Sequence, residues 1–199
     1  MMTDILMTDI LVTDLYPTIG RKRRPKEIRH VTFVDPGIIG TGMAWFEYLN
    51  FERPRPPLFQ KDIIPTADWG DWQEKAFRVA AVLERWLSER ETRLVVMEAP
   101  ELWEGSALSY AAATNKTRGE PSSLFKLMYL VGLLGDRAMK ITKRCPVLMA
   151  PADWKGQLPK DAVLKRISRA WPKQYPDWRK IADHMGDAIG MGLAAQGGL

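Results

Sequence analysis

Two acidic residues close apolar, β-prone runs. Asp35 ends VTFVD (31–35), and Glu98 ends the apolar part of TRLVVMEAP (92–100). A carboxylate at the end of a buried strand is partly desolvated, and a cation, a hydrogen-bond donor or a proton must make it tolerable. If the two strands are parallel neighbours, their C-terminal ends lie side by side, at the edge where open α/β sheets bind ligands. Two close carboxylates there call for a hard divalent cation. A third group sits near the C-terminus, where Asp183, His184 and Asp187 interrupt a segment otherwise made of Ala, Met, Gly and Ile. His184 and Asp187 are spaced i, i+3 and Asp183 and Asp187 i, i+4, so either pair can share one helix face. The set is oxygen-rich with one imidazole, which suits Mg²⁺ or Mn²⁺. Each residue alone has a plainer reading. Asp35 before Pro36-Gly37 is also a turn former, Glu98 a surface acid, His184 a structural histidine and Asp183 a solvated helix residue. Their conjunction in one compact domain is what points to a metal centre.

The elements that must position these groups follow from periodicity and punctuation. Residues 31–35 form a short apolar strand, Gly37, Gly40 and Gly42 bracket a turn, and TGMAWFEY (41–48) returns as the second arm of a hairpin. The proline-rich FERPRPPLFQ is a loop or at best an edge strand. A helix over roughly 70–89 carries a wide apolar face, with Asp71 near its start, where an acid suits the dipole. The run 92–100 is a strand closed by Pro100. A serine-capped apolar helix spans roughly 123–139, CPVLMAP (145–151) is another short strand, a helix opens near Pro159, and WRKIADHMGDAIGMGLAA (178–195) is the last helix. The order predicts an α/β layout with a mixed sheet.

The chain has 199 residues, enough for one domain with a real core, and ordinary apolar and charged fractions. Its single cysteine, Cys145, cannot form an internal disulfide, which fits a reducing compartment. No apolar run approaches a membrane span, and the acids among the first apolar residues argue against a signal peptide. Residues 1–30 read as a flexible arm with repeated MTDIL and a basic run, RKRRPKEIR, and residues 31–199 as the folded domain. The net charge of +5 is unevenly spread: residues 116–180 hold fifteen Lys and Arg against five Asp and Glu, interleaved with Trp154, Trp171 and Trp178. That pattern fits a polyanionic partner, most often nucleic acid, and fits a solvated basic surface equally well.

The motifs VDPG-x₃-TG (34–42), a strand ending in Glu98, P-x-x-W-K (151–155) and H-x-x-D-A (184–188), in this order, resemble the RuvC-type Holliday-junction resolvases, with the phage-borne branch nearest in character. The resemblance covers roughly residues 31–196. It implies a ribonuclease H-like fold, a five-stranded mixed sheet flanked by helices. By the same resemblance, Asp35, Glu98, His184 and Asp187 match the catalytic acids and the terminal-helix pair, with Asp183 out of that register. The segment APADWKGQLPK resembles the family's basic DNA-contacting segment, making Lys155 and Lys160 phosphate contacts and bringing in Trp154. In the loop of KTRGEPSS, Lys116 and Arg118 join them. Where the family places a junction-wedging aromatic, position 101 is Glu, and the nearest aromatic is Trp103.

The activity so implied is two-metal phosphodiester hydrolysis with Mg²⁺, or Mn²⁺ in its place, the ions about 3.5–4 Å apart. Asp35 would bridge them, Glu98 and Asp187 hold one each, and His184 serve as ligand or general base. The partner is branched DNA, foremost a four-way junction, cut by paired nicks from a C₂ homodimer in a bacterial or phage-infected cytoplasm. The 123–139 helix is the candidate interface. A nuclease of the same fold acting on flaps, forks or replication intermediates is the alternative. A more distant one is an actin/Hsp70-like nucleotide-binding protein, whose first phosphate loop also reads D-x-G with a nearby T-G. The chain has no second glycine-rich phosphate loop.

Overall fold

The computed structural model describes residues 27–50, 59–66, 68–100 and 123–196. Five strands form one sheet: β1 (Glu27–Asp35), β2 (Gly40–Asn50), β3 (Phe59–Pro65), β4 (Leu94–Glu98) and β5 (Val147–Met149), in the order β3-β2-β1-β4-β5. The β1–β2 and β2–β3 pairs are antiparallel, and β4 runs parallel to both β1 and β5. The helices are α1 (Trp72–Glu89), α2 (Ser123–Thr142), α3 (Pro151–Trp154), α4 (Lys160–Ala170) and α5 (Asp183–Ala195), with a 3-10 turn at Trp178–Lys180. This is the mixed α/β sheet flanked by helices that the sequence predicts. Among the described residues, no helix is long and apolar enough to cross a membrane.

Side-chain alternation divides the sheet into two buried faces. Val34, Met43, Val95 and Met97 point toward α1 and α2, where they meet Ala76, Val79, Leu83, Leu130 and Leu134. Val31, Phe33, Ala44, Phe46, Leu94 and Val96 point toward α4 and α5, against Val163, Leu164, Ile167 and Ile189. Helix α1 starts where Asp71 accepts a 2.8 Å hydrogen bond from the Glu74 amide. Helix α5 has almost no polar face: Gly186, Ala188, Ile189, Gly190, Met191, Gly192 and Leu193 are all buried. Its glycines permit this, since a Cβ on Gly192 would lie 2.3 Å from the Phe46 ring.

Three boundaries differ from the sequence reading. Strand β1 starts at Glu27, inside the stretch read as arm, and residues 1–26 lie outside the described residues. The third strand is β3, beyond the prolines at 54, 56 and 57 rather than among them, because proline removes ladder donors. The last helix is interrupted: Asp177 accepts from the Arg179 amide and closes a 3-10 turn, and α5 begins only at Asp183. Helix α3 lies in a segment that carries no helical period of its own.

Candidate active site

The β1–β4 register pairs Val34 with Met97, so Asp35 and Glu98 stand next to each other at the ends of parallel neighbours. Asp35 has the parity of Val31 and Phe33, and Glu98 that of Leu94 and Val96. Both therefore emerge on the face covered by α5. A cavity of about 290 Å³ opens there, lined by Asp35, Glu98, His184 and Asp187 together with Leu127 and Pro36, Pro100 and Pro151.

The hairpin turn makes room for α5. The Thr41 hydroxyl donates to the Gly37 carbonyl at 3.0 Å and accepts from the Gly37 amide at 3.3 Å, which staples the turn. A Cβ on Gly37 would lie 2.8 Å from His184 Cε1, and one on Gly42 would lie 2.1 Å from the His184 carbonyl oxygen. Real Cβ atoms do not approach so closely. The glycines that read as turn brackets thus also form the seat on which the first turn of α5 rests.

That seat brings His184 Nδ1 to 2.7 Å from Asp35 Oδ2. Asp35 is buried, and burial pushes its carboxyl up, with the imidazole only partly offsetting the cost. The Asp35 hydrogen bond in turn holds the His184 imidazole above its usual range. Glu98 is pushed up to about 7, by burial first and by repulsion from Asp35 second. Lys155 and the nearby Trp154 indole pull the other way more weakly. No hydrogen bond closes on Glu98 Oε2, which is buried without a partner. Asp187 accepts from Lys160 Nζ at 3.3 Å.

These carboxylates have the donor chemistry of a Mg²⁺ or Mn²⁺ site, and the orphaned Glu98 oxygen is an open ligand position on the cavity wall. Asp35 is engaged by the His184 ring and Asp187 by Lys160, and among the described residues no three His, Cys, Asp or Glu side chains are already drawn in around one point.

Other residues singled out in the sequence fall elsewhere. Asp183 is 77% exposed, pairs with Lys160 at 3.5 Å and is not among the residues that line the cavity. Trp154 is not a DNA contact: its side chain is in the core, and the ring lies so close to α5 that a Cβ on Gly190 would come within 2.7 Å of it. Lys155 Nζ sits 4.9 Å from the centre of that ring. Lys160, read as a phosphate contact, is held by Asp187 and Asp183 at the mouth of the site. Lys116, Arg118 and Trp103 lie outside the described residues. Sequence reasoning missed Leu127, which α2 contributes to the wall; an apolar residue on an apolar helix carries no signal of this.

Sheet order, flanking helices and the acidic strand ends define the class: the chain has a ribonuclease H-like fold. Solved structures of similar fold include Thermus thermophilus RuvC, at 17% identity with a TM-score of 0.60, over 83% of this chain and 92% of that one. The T. thermophilus RuvC structure in complex with a Holliday junction substrate matches at 18% identity with a TM-score of 0.59, over 84% and 92%. At such identity the likeness speaks for the fold alone. No family model and no curated relative matches the chain.

Proposed function

We propose that this chain is a metal-dependent endonuclease that cuts branched DNA, four-way junctions foremost, by phosphodiester hydrolysis. The observation that carries the reading is the arrival of Asp35, Glu98, His184 and Asp187 on the wall of one cavity. The fold is shared with a protein whose structure holds a Holliday junction substrate. Asp35, Glu98 and Asp187 would hold two divalent cations, Mg²⁺ or Mn²⁺, with His184 as a further ligand or as general base. When bound, such ions supply Lewis acidity at the scissile phosphate and lower the pKa of a water nucleophile.

The chain's own groups prepare the rest. Asp35 Oδ2 fixes the His184 ring through Nδ1, which leaves Nε2 as the nitrogen for ligation or proton transfer. Glu98 changes charge near neutral pH, so the site gains its full negative charge only above that point. Lys160 and Lys155 stand beside the acids and balance the charge of an incoming phosphate. The homodimer needed for paired nicks would form through α2. Phe125 and Met128 on that helix are 54% and 59% exposed, and Phe77 on neighbouring α1 is 52% exposed.

The test is a synthetic four-way junction beside a matched linear duplex, with Mg²⁺, Mn²⁺ or EDTA. Paired nicks are expected in the junction alone and none in EDTA. Glu98→Gln and Asp187→Asn should abolish cutting and keep binding, and normal cutting by either would overturn the site assignment. Sedimentation at micromolar concentration should show a dimer; a monomer, even with junction present, would exclude paired nicking.

A further inference from the structure

Of the three tryptophans interleaved with the basic half of the chain, Trp154 and Trp171 are buried, and only Trp178 reaches the surface. Its ring holds two cations: Lys165 Nζ and Arg179 Cζ each lie 4.9 Å from the ring centre. We propose that Lys165 and Arg179, held on Trp178, together with Arg169 on the same face of α4 and Lys180 beside Arg179, form a ridge that binds the phosphate backbone of a duplex DNA arm. The identity of the occupant rests on the nuclease reading above.

Lys160, the first residue of α4, bonds the α5 acids, and the 3-10 turn ends three residues before α5 and packs on α4. Lys165 and Arg169 are spaced i, i+4, so they share a face of α4, and both are exposed, as are Arg179 and Lys180. From Lys165 to Arg169 the helix rises about 6 Å, roughly two base pairs at 3.4 Å each.

Three of the four charges have no carboxylate partner among the described residues. Asp177 lies 3.7 Å from Arg179, but among the described residues no carboxylate pairs with Lys165, Arg169 or Lys180. Asp161, one turn before Lys165 on α4, makes no ion pair with it. A surface built only for solubility intersperses both signs. Here like charges are drawn together on an aromatic ring, whose attraction for an exposed cation is modest, about 0.5–1 kcal/mol. The ring holds Lys165 and Arg179 in place before any anion arrives, which lowers the ordering cost of a regular row of phosphates.

The experiment measures affinity for a four-way junction and for a linear duplex against salt, by fluorescence anisotropy. It compares the wild type with Lys165→Ala/Arg169→Ala/Arg179→Ala and with a control triple, Arg85→Ala/Lys140→Ala/Lys143→Ala, on the α1–α2 side of the sheet. Loss of three phosphate contacts lowers the slope of log K against log salt by about 2.7. The affinity gap between wild type and ridge variant should then shrink about 40-fold from 50 to 200 mM salt, on both DNAs, with the control near wild type. An unchanged slope in the ridge variant, or an equal change in the control, overturns the proposal. If the wild type shows the ridge-dependent slope yet cuts no junction, the nuclease reading fails and the ridge stands. If it cuts junctions with no ridge dependence, the reverse holds.

Discussion

Glu98 offers a sharp physical test, because its carboxyl is buried, faces Asp35 and has an oxygen without a partner. Its pKa rises from 4.5 to about 7 on folding. A carboxyl raised on folding means that between these values the folded chain binds more protons than the unfolded one. Stability is then highest below about pH 4.5, falls as pH rises through the window, and stays low above 7. At 1.36 kcal/mol per pH unit the whole displacement corresponds to about 3.4 kcal/mol. The side chain borders an open cavity, so solvent reduces this to about 2 kcal/mol. Glu98→Gln keeps shape and removes the charge. In EDTA at pH 8 it should melt about 4–8 °C above wild type, at 2–4 °C per kcal/mol for a domain of this size. At pH 5 the two should nearly coincide. Mg²⁺ should raise the wild-type melting temperature and leave the variant's almost unmoved, since only a ligand that binds the folded state stabilises it. Scanning calorimetry from pH 5 to 8.5 with and without Mg²⁺ reads all of this. A gap between the two proteins that does not widen with pH would refute the claim that Glu98 is a desolvated carboxyl held against Asp35.

Two further outcomes follow from the same geometry. In Gly42→Ala the new Cβ would meet the His184 backbone, which a side-chain rotation cannot relieve, so α5 must lift from the sheet. A loss of about 2–3 kcal/mol is expected, or at least about 5 °C in melting temperature, and calorimetry showing a drop under 2 °C would contradict the seat. Lys160→Met frees Asp187 from its ion pair. A partly exposed pair of this kind is worth about 0.5–1 kcal/mol, so isothermal titration should show Mn²⁺ binding about 2–5-fold tighter without DNA, while anisotropy shows DNA binding weakened; Mn²⁺ affinity that falls would mean Lys160 does not compete for Asp187.

What the sequence disclosed depended on whether the signal was local. Asp35 and Glu98 were legible because a carboxylate ending an apolar run breaks its own neighbourhood, and alternation then fixes the face each occupies. His184 and Asp187 were legible as polar residues in a segment too apolar to be a surface helix. Trp154 misled, because a tryptophan beside a lysine reads the same in a DNA-contacting loop and in a core. Its burial is decided by Gly190, far along the chain. Asp183 shared a spacing with Asp187, yet its position at the first residue of α5 turns it to solvent. The seat formed by Gly37 and Gly42 could not be read at all, since a glycine near a turn already has a sufficient local reason to be there.

The proposed site depends on how the chain places its carboxylates at the edge of the sheet. Some buried polar groups elsewhere are matched, Thr32 and Thr92 bonding to each other at 2.9 Å inside the sheet and Thr41 closing its turn, while others, such as the indole nitrogens of Trp45 and Trp86, also close no hydrogen bond. A structural network in a low-dielectric interior satisfies its members, since each orphan costs about 1–3 kcal/mol. At the ends of β1 and β4 the chain sets the buried Asp35 carboxylate beside the half-buried Glu98, with one oxygen of Glu98 closing no hydrogen bond. Glycines at 37 and 42 then let the α5 backbone, with His184 and Asp187, close over them. Two acids held side by side at the ligand-binding edge of the sheet, at a cost in desolvation and repulsion, are what the proposed cations would relieve.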